Sequence, residues 1–137
     1  MALQYSDSVR NAQLDAVEST IGTAAVLKIY DLTAGAPANC AAAITGTVLA
    51  TITLPSDWMN AASSGSKTKL GTWQDASADA AGTADFFRLF ASDGTTCGAQ
   101  GTVSATGGGG DLTLDNAVIA AGQSVTISTF TLSAGNA

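Results

Sequence analysis

Asp75, Asp79 and Asp85 lie close together in the chain, and neighbouring carboxylates are the residues that acid–base chemistry would need. Glycosidase-type sites set such a pair across a cleft lined with aromatics. Here the three sit in a run of Ala and Gly, which reads as a solvated loop. Calcium could use the same aspartates, but the D-x-D-x-D-G spacing of a calcium loop is absent. The chain has no His, which removes Ser-His-Asp and Cys-His catalysis and most zinc and iron ligand sets. Gly107 to Gly110 lack the following Lys-Ser/Thr of a phosphate-binding loop and read as a hinge or tip. Trp58 and Trp73 could stack on a sugar, but a Trp in a small β domain normally buries its area in the core. Lys67 and Lys69 form the one close basic pair, and two lysines on an edge strand guard against edge-to-edge pairing. Cys40 and Cys97 both sit in loop-like settings, where they could pair with each other or, in a reducing compartment, stay free thiols. No catalytic residue, cofactor or metal site is expected.

The elements that would carry these residues follow from composition and pattern. With 137 residues and only 12% of them charged, the chain has room for one domain with its own core. Ala, Gly, Ser, Thr and Val dominate, a mixture suited to short strands and small turns. The net charge is −6, with ten of the eleven acids being Asp. Asp favours turns and caps, so these carboxylates should lie in loops. Such a balance excludes a nucleic-acid binder, which needs clustered Lys and Arg. No apolar run is long enough to span a bilayer. No leader is visible, and folding in a cytoplasm is expected.

Thr83 to Ser104 organises the rest. Phe86, Phe87, Leu89 and Phe90 occupy both faces of the alternation, so this strand should be central and covered on both sides. The following Asp93-Gly94 is a hairpin signal, since both residues tolerate positive φ. Ahead of it, residues 6–21 read as the one helix, capped by Ser6 or Asp7 and ended by Gly22. Leu14, Val17 and Ile21 share one of its stripes, after a short apolar lead of Leu3 and Tyr5. That helix could lie across the body or serve as an arm that docks on a partner.

Strands are expected at 25–33, with Leu27 and Ile29 on one face, and at 47–54, with Val48, Ala50, Ile52 and Leu54 inward. Pro55-Ser56-Asp57 could open one helical turn holding Trp58 and Met59. Residues 67–74 read as a strand with Leu70 and Trp73, and 106–110 as a loop. In the last run, Ser124 to Ser133, the inward phase slips from Val125 and Ile127 to Phe130 and Leu132. The slip predicts a bulge or a strand that serves two sheets. The fold class is therefore mainly β, an antiparallel β-sandwich or small barrel with one N-terminal α-helix.

The opening stretch Met1 to Gly22, then Leu54-Pro-Ser-Asp-Trp-Met59, Gly71-Thr-Trp-Gln-Asp75 and Thr106-Gly-Gly-Gly-Gly-Asp111, resembles a group of small proteins of tailed bacteriophages and prophages. The resemblance covers nearly the whole chain. It implies an auxiliary virion protein, a head-decoration or cement protein present in many copies, with a tail or fibre component that binds a host surface or carbohydrate as the alternative. The implied partners are the major capsid protein or other virion proteins, within a homo-oligomeric assembly located in the virion, with no nucleic acid or membrane bound. On that reading residues 1–22 are an arm, 23–137 the β-sandwich domain, and Leu3, Tyr5, Leu14, Val17 and Ile21 the partner-binding residues.

Overall fold

Ser6 starts the helix, and Gly22 ends it. The computed structural model describes residues 1–135. In it α1 (Asp7–Ile21) is capped by the Ser6 hydroxyl, which accepts from the Val9 amide at 3.3 Å. Gly22 adopts φ +94° and its N–H donates to the Glu18 carbonyl at 2.8 Å, the glycine stop the sequence predicts. The strands that follow are β1 (Val26–Leu32), β2 (Gly46–Thr53), β3 (Ser66–Thr68), β4 (Trp73–Asp75), β5 (Gly82–Thr83), β6 (Phe86–Phe90), β7 (Cys97–Ala105), β8 (Leu112–Leu114), β9 (Val118–Ile119), β10 (Val125–Ile127) and β11 (Thr131–Ser133).

One five-stranded sheet, ordered β2-β1-β6-β7-β8, forms the first layer. All five side chains of β6 are buried, so the Phe-rich strand is central and covered on both faces, as its pattern demands. The second layer is three two-stranded ladders, β4 with β10, β3 with β11, and β5 with β9. The slip in the last run is now explained: β10 pairs with β4 and β11 with β3, so one stretch of chain serves two ladders. Between the layers Leu27, Ile29, Ile52, Phe87 and Leu89 join Trp58, Trp73, Ile127 and Phe130 in one core. Trp73 lies 5.4 Å from Phe130 between ring centroids, and Phe87 meets Phe130 edge-on at 6.0 Å. The result is a mainly β fold with one N-terminal helix, a curled, antiparallel-rich sheet in the manner of a small sandwich or half-barrel.

Local details depart from the alternation. In β2 Leu49 is fully buried while Val48 is only half-buried. The register steps from Ile29↔Ala50 to Tyr30↔Val48, so Leu49 is the extra residue of a bulge and turns into the core. The strand expected over 67–74 breaks at Gly71 (φ +75°), its halves join different ladders, and Leu70 is exposed. Trp58 and Met59 take no helical turn. Met59 instead bridges to Lys69 in extended chain, which leaves both side chains pointing into the core. At the β6–β7 turn only Gly94 has positive φ (+71°). Asp93 contributes through its carboxylate, which accepts from the Thr95 and Thr96 amides at 2.8 Å each.

Within the glycine run, Gly108 and Gly110 lie against Ser104. β7 and β8 are parallel neighbours, Val103 facing Leu112, and parallel pairs usually need a crossover of about a dozen residues or more. Here the chain doubles back over Ser104. The Gly110 amide donates to the Ser104 hydroxyl at 2.9 Å, and a Cβ on Gly110 would lie 2.7 Å from the Ser104 nitrogen. Gly110→Ala is expected to cost about 1–3 kcal/mol by overpacking, read as a lower urea midpoint at unchanged slope. An unshifted midpoint would show that the run is not closed against Ser104.

Candidate interaction surface

The aspartates act as backbone acceptors. Asp75 accepts from the Thr51 amide at 3.0 Å, Asp85 from the Leu32 amide at 3.1 Å, and Asp79 from the Thr51 hydroxyl at 2.8 Å. Asp31 and Asp111 do the same for Thr83 and Thr102 at 3.0 Å each. Each carboxylate thus occupies an amide or hydroxyl at a strand end or unpaired edge, which blunts that edge. Among the described residues no group of three His, Cys, Asp or Glu could hold a metal ion. Asp93 is exposed, and hydrogen bonds from Thr96 and Thr95 hold its carboxyl down at about 2.

The lysine pair divides. Lys69 donates to the Gly71 carbonyl at 2.7 Å and sits over the Trp73 ring. Lys67 is no edge guard. Its side chain is 3% exposed, and its Nζ lies 2.7 Å from Asp15 Oδ1 and 3.0 Å from Glu18 Oε2. Asp15 and Glu18 stand three positions apart on one face of α1. Asp15 also accepts from the Ala62 amide at 3.0 Å, and Glu18 Oε1 from the Trp58 and Met59 amides at 3.2 and 3.1 Å. Burial alone would push the Lys67 pKa down, but the hydrogen bonds its ammonium donates to both carboxylates outweigh it and the pKa stands above the ordinary value. The same contact, with the Ala62 amide, holds Asp15 below the ordinary carboxylate value.

This clasp decides where the helix belongs. Leu14 and Ile21 are buried and Val17 packs on the core. Asn11 accepts from the Gly65 amide at 2.9 Å, and Arg10, paired with Asp7, donates to the Ala134 carbonyl at 3.1 Å. A Cβ on Gly98 would collide with the Ile21 side chain, so the helix seats directly on β7. The boundary drawn at residue 22 is therefore crossed by core packing and by the clasp. Of the five residues expected to bind a partner, Leu14, Val17 and Ile21 are spent on the protein's own body. Leu3 is 73% exposed and Tyr5 44%, and Met1 and Val9 are exposed as well, Val9 having been missed by the stripe reading because it lies off the Leu14 face. These are four of the six large exposed hydrophobics among the described residues.

On the outer face of the sheet, Arg88 is buried without a carboxylate. It donates to the carbonyls of Asn39 and Ala42 at 3.1 and 2.7 Å and to Gln100 at 3.1 Å, while Gln100 donates to the Pro37 carbonyl at 2.9 Å. These donors tie the loop 33–45 to the central sheet. The alternation around Arg88 could have revealed it, since a lone charge inside Phe-Phe-Arg-Leu-Phe has to find polar partners. Cys40, in that loop, is bonded to Cys97 at the start of β7, with Cα atoms 5.4 Å apart. Two hollows flank α1. One of about 510 Å³ lies beside the clasp, and one of about 370 Å³ runs between α1 and the β6–β7 turn, lined by Gln13, Ala16, Val17, Ile21, Cys97 and Gly98 among others.

No protein-family model matches the chain, and neither a curated protein nor a solved structure does. Among the described residues no helix is long and apolar enough to cross a membrane.

Proposed function

We propose that the protein is a non-enzymatic structural protein of a bacteriophage virion, a decoration or cement protein bound in many copies to the head. The observation that carries this reading is the exposed apolar lead with Met1, Leu3 and Tyr5, together with exposed Val9 in the first turn of α1, on a domain whose other large apolar side chains are mostly buried or half-buried. A short lead of this kind contributes little per copy. On a lattice, many such contacts combine through effective concentration. Major capsid protein is the partner that the resemblance to phage proteins supplies.

The alternative, a tail or fibre module that binds carbohydrate, needs an exposed aromatic platform. Trp58, Trp73, Tyr30 and all four Phe are buried, leaving Tyr5 as the exposed aromatic. The head reading is therefore preferred.

Because the helix is part of the body, the test leaves it intact. A chain beginning at Gln4, and separately Leu3→Asp, are mixed with undecorated heads and sedimented. Both are expected to melt like the parent and to lose head binding at least about tenfold, roughly 1.4 kcal/mol. Full occupancy by both variants would remove the lead from the mechanism. Hundreds of copies per particle by quantitative mass spectrometry are expected, and a handful would favour the tail.

A further inference from the structure

We propose that the Cys40–Cys97 bond is made on the already folded chain, by a small-molecule disulfide that reaches Cys97 through the groove between α1 and the β6–β7 turn.

The loop bearing Cys40 is fastened to the sheet by contacts besides the bond. Three of its carbonyls, those of Pro37, Asn39 and Ala42, are held by Gln100 and Arg88. Both donors project from strands of the central sheet, β6 and β7. Side-chain hydrogen bonds therefore carry Cys40 to Cys97 before any sulfur–sulfur bond exists. A chain folding under reducing conditions would reach the same arrangement with two thiols facing each other.

Cys97 lines the groove beside α1, whereas Cys40, half-buried like it, lies outside that groove. The groove holds about 370 Å³, within the range of small-ligand sites. Val17 and Ile21 give it an apolar floor, and Gln13, Thr20 and Thr96 place polar groups at its walls. That mixture suits a short peptide-like disulfide such as oxidised glutathione.

The chemistry balances with that one oxidant. The Cys97 thiolate attacks one sulfur of the small disulfide, forming a mixed disulfide and expelling one small thiolate. The Cys40 thiolate then attacks the Cys97 sulfur, closing the Cys40–Cys97 bond and expelling the second. Two electrons pass from the protein dithiol to the oxidant, and two protons go to solvent. The protein would thus fold first and lock later, on meeting an oxidising medium.

The test uses the full chain, reduced and then exchanged into native buffer with oxidised glutathione, quenched by alkylation and read by intact mass. The bond is expected to close under native conditions faster than the chain unfolds. Cys40→Ser should accumulate one glutathione on Cys97, and Cys97→Ser should take one up about tenfold more slowly on Cys40. Ala16→Trp, at an exposed helix position lining the groove, should slow native oxidation about tenfold while leaving oxidation in denaturant unchanged. Near-UV circular dichroism confirms that each variant is folded. Native oxidation limited by the unfolding rate, equal uptake by the two cysteine variants, or an Ala16→Trp rate equal to the parent would each overturn the proposal.

Discussion

Lys67→Ala is expected to lose about 3 kcal/mol of stability, and Lys67→Met distinctly less. Removing one partner of a buried ion pair costs about 3–5 kcal/mol because the other charge is stranded. The lower end applies here, since Asp15 is half-exposed and water can take up part of its charge. Glu18 keeps the Trp58 and Met59 amides whichever variant is made. The Met side chain refills the space of the lysine stem, whereas Ala leaves a hole under α1. Equal losses in the two variants would assign the effect to charge alone, and no loss in either would show that the helix is held without the clasp.

The pH dependence separates the pair from the packing. The Lys67 pKa is raised by folding, so its contribution is complete below the ordinary value of 10.5 and is lost as pH rises through the folded value. The Asp15 pKa is lowered, so its contribution is complete above the ordinary 3.8 and is lost as pH falls through the folded value. The stability gap between parent and Lys67→Met should therefore be widest between these limits and should close at both ends. Asp93 titrates in the same acid range but is common to both proteins, so it cancels in the difference.

Why Lys67 escaped the sequence is a matter of distance along the chain. In Ser-Gly-Ser-Lys-Thr-Lys it sits among small polar residues, the setting of a solvated edge. Its partners Asp15 and Glu18 lie on α1, far upstream, and nothing local announces that the helix will cover β3. The helix itself was readable from its cap, its stop and its stripe of Leu14, Val17 and Ile21. Where that stripe goes was not, because a stripe that packs on the body and one that packs on a partner have the same spacing. Of the residues on the candidate surface, Leu3 and Tyr5 are exposed, while Leu14 and Ile21 are buried and Val17 packs on the core.

The same distinction holds for the sheet. The double-sided apolar content of Phe86 to Phe90 required a central strand, and the phase slip before Phe130 required a break in the last run. Both are local signals with one structural outcome. The bulge at Leu49 left no such trace, since Val-Leu-Ala-Thr-Ile reads equally well with Val48 or Leu49 inward. Its partner strand decides, through the step at Ile29 and Tyr30.

The strongest single-residue effect on the core is expected at Phe87, where truncation to Ala should cost about 3–5 kcal/mol. Phe87 is 3% exposed and belongs to the inner face of β6. Its ring meets Phe130 edge-on, and Phe130 in turn contacts Trp73, which contacts Trp58. It is therefore a point at which the central strand grips the β4–β10 ladder and the chain leading into β11. Loss of the ring opens a cavity whose walls are rigid sheet on one side and fixed indoles on the other, so little collapse can offset it. The ring also reaches Gly101, where an added Cβ would lie 2.8 Å from Phe87 Cε1, and Gly101→Ala should consequently be tolerated better in Phe87→Ala than in the parent. A double-mutant cycle measures this: the two losses should add to more than the loss in the double variant, by about 1 kcal/mol. Additive losses would mean that the wall closes around the missing ring, and a Phe87→Ala protein that melts like the parent would mean that β6 does not hold the layers together.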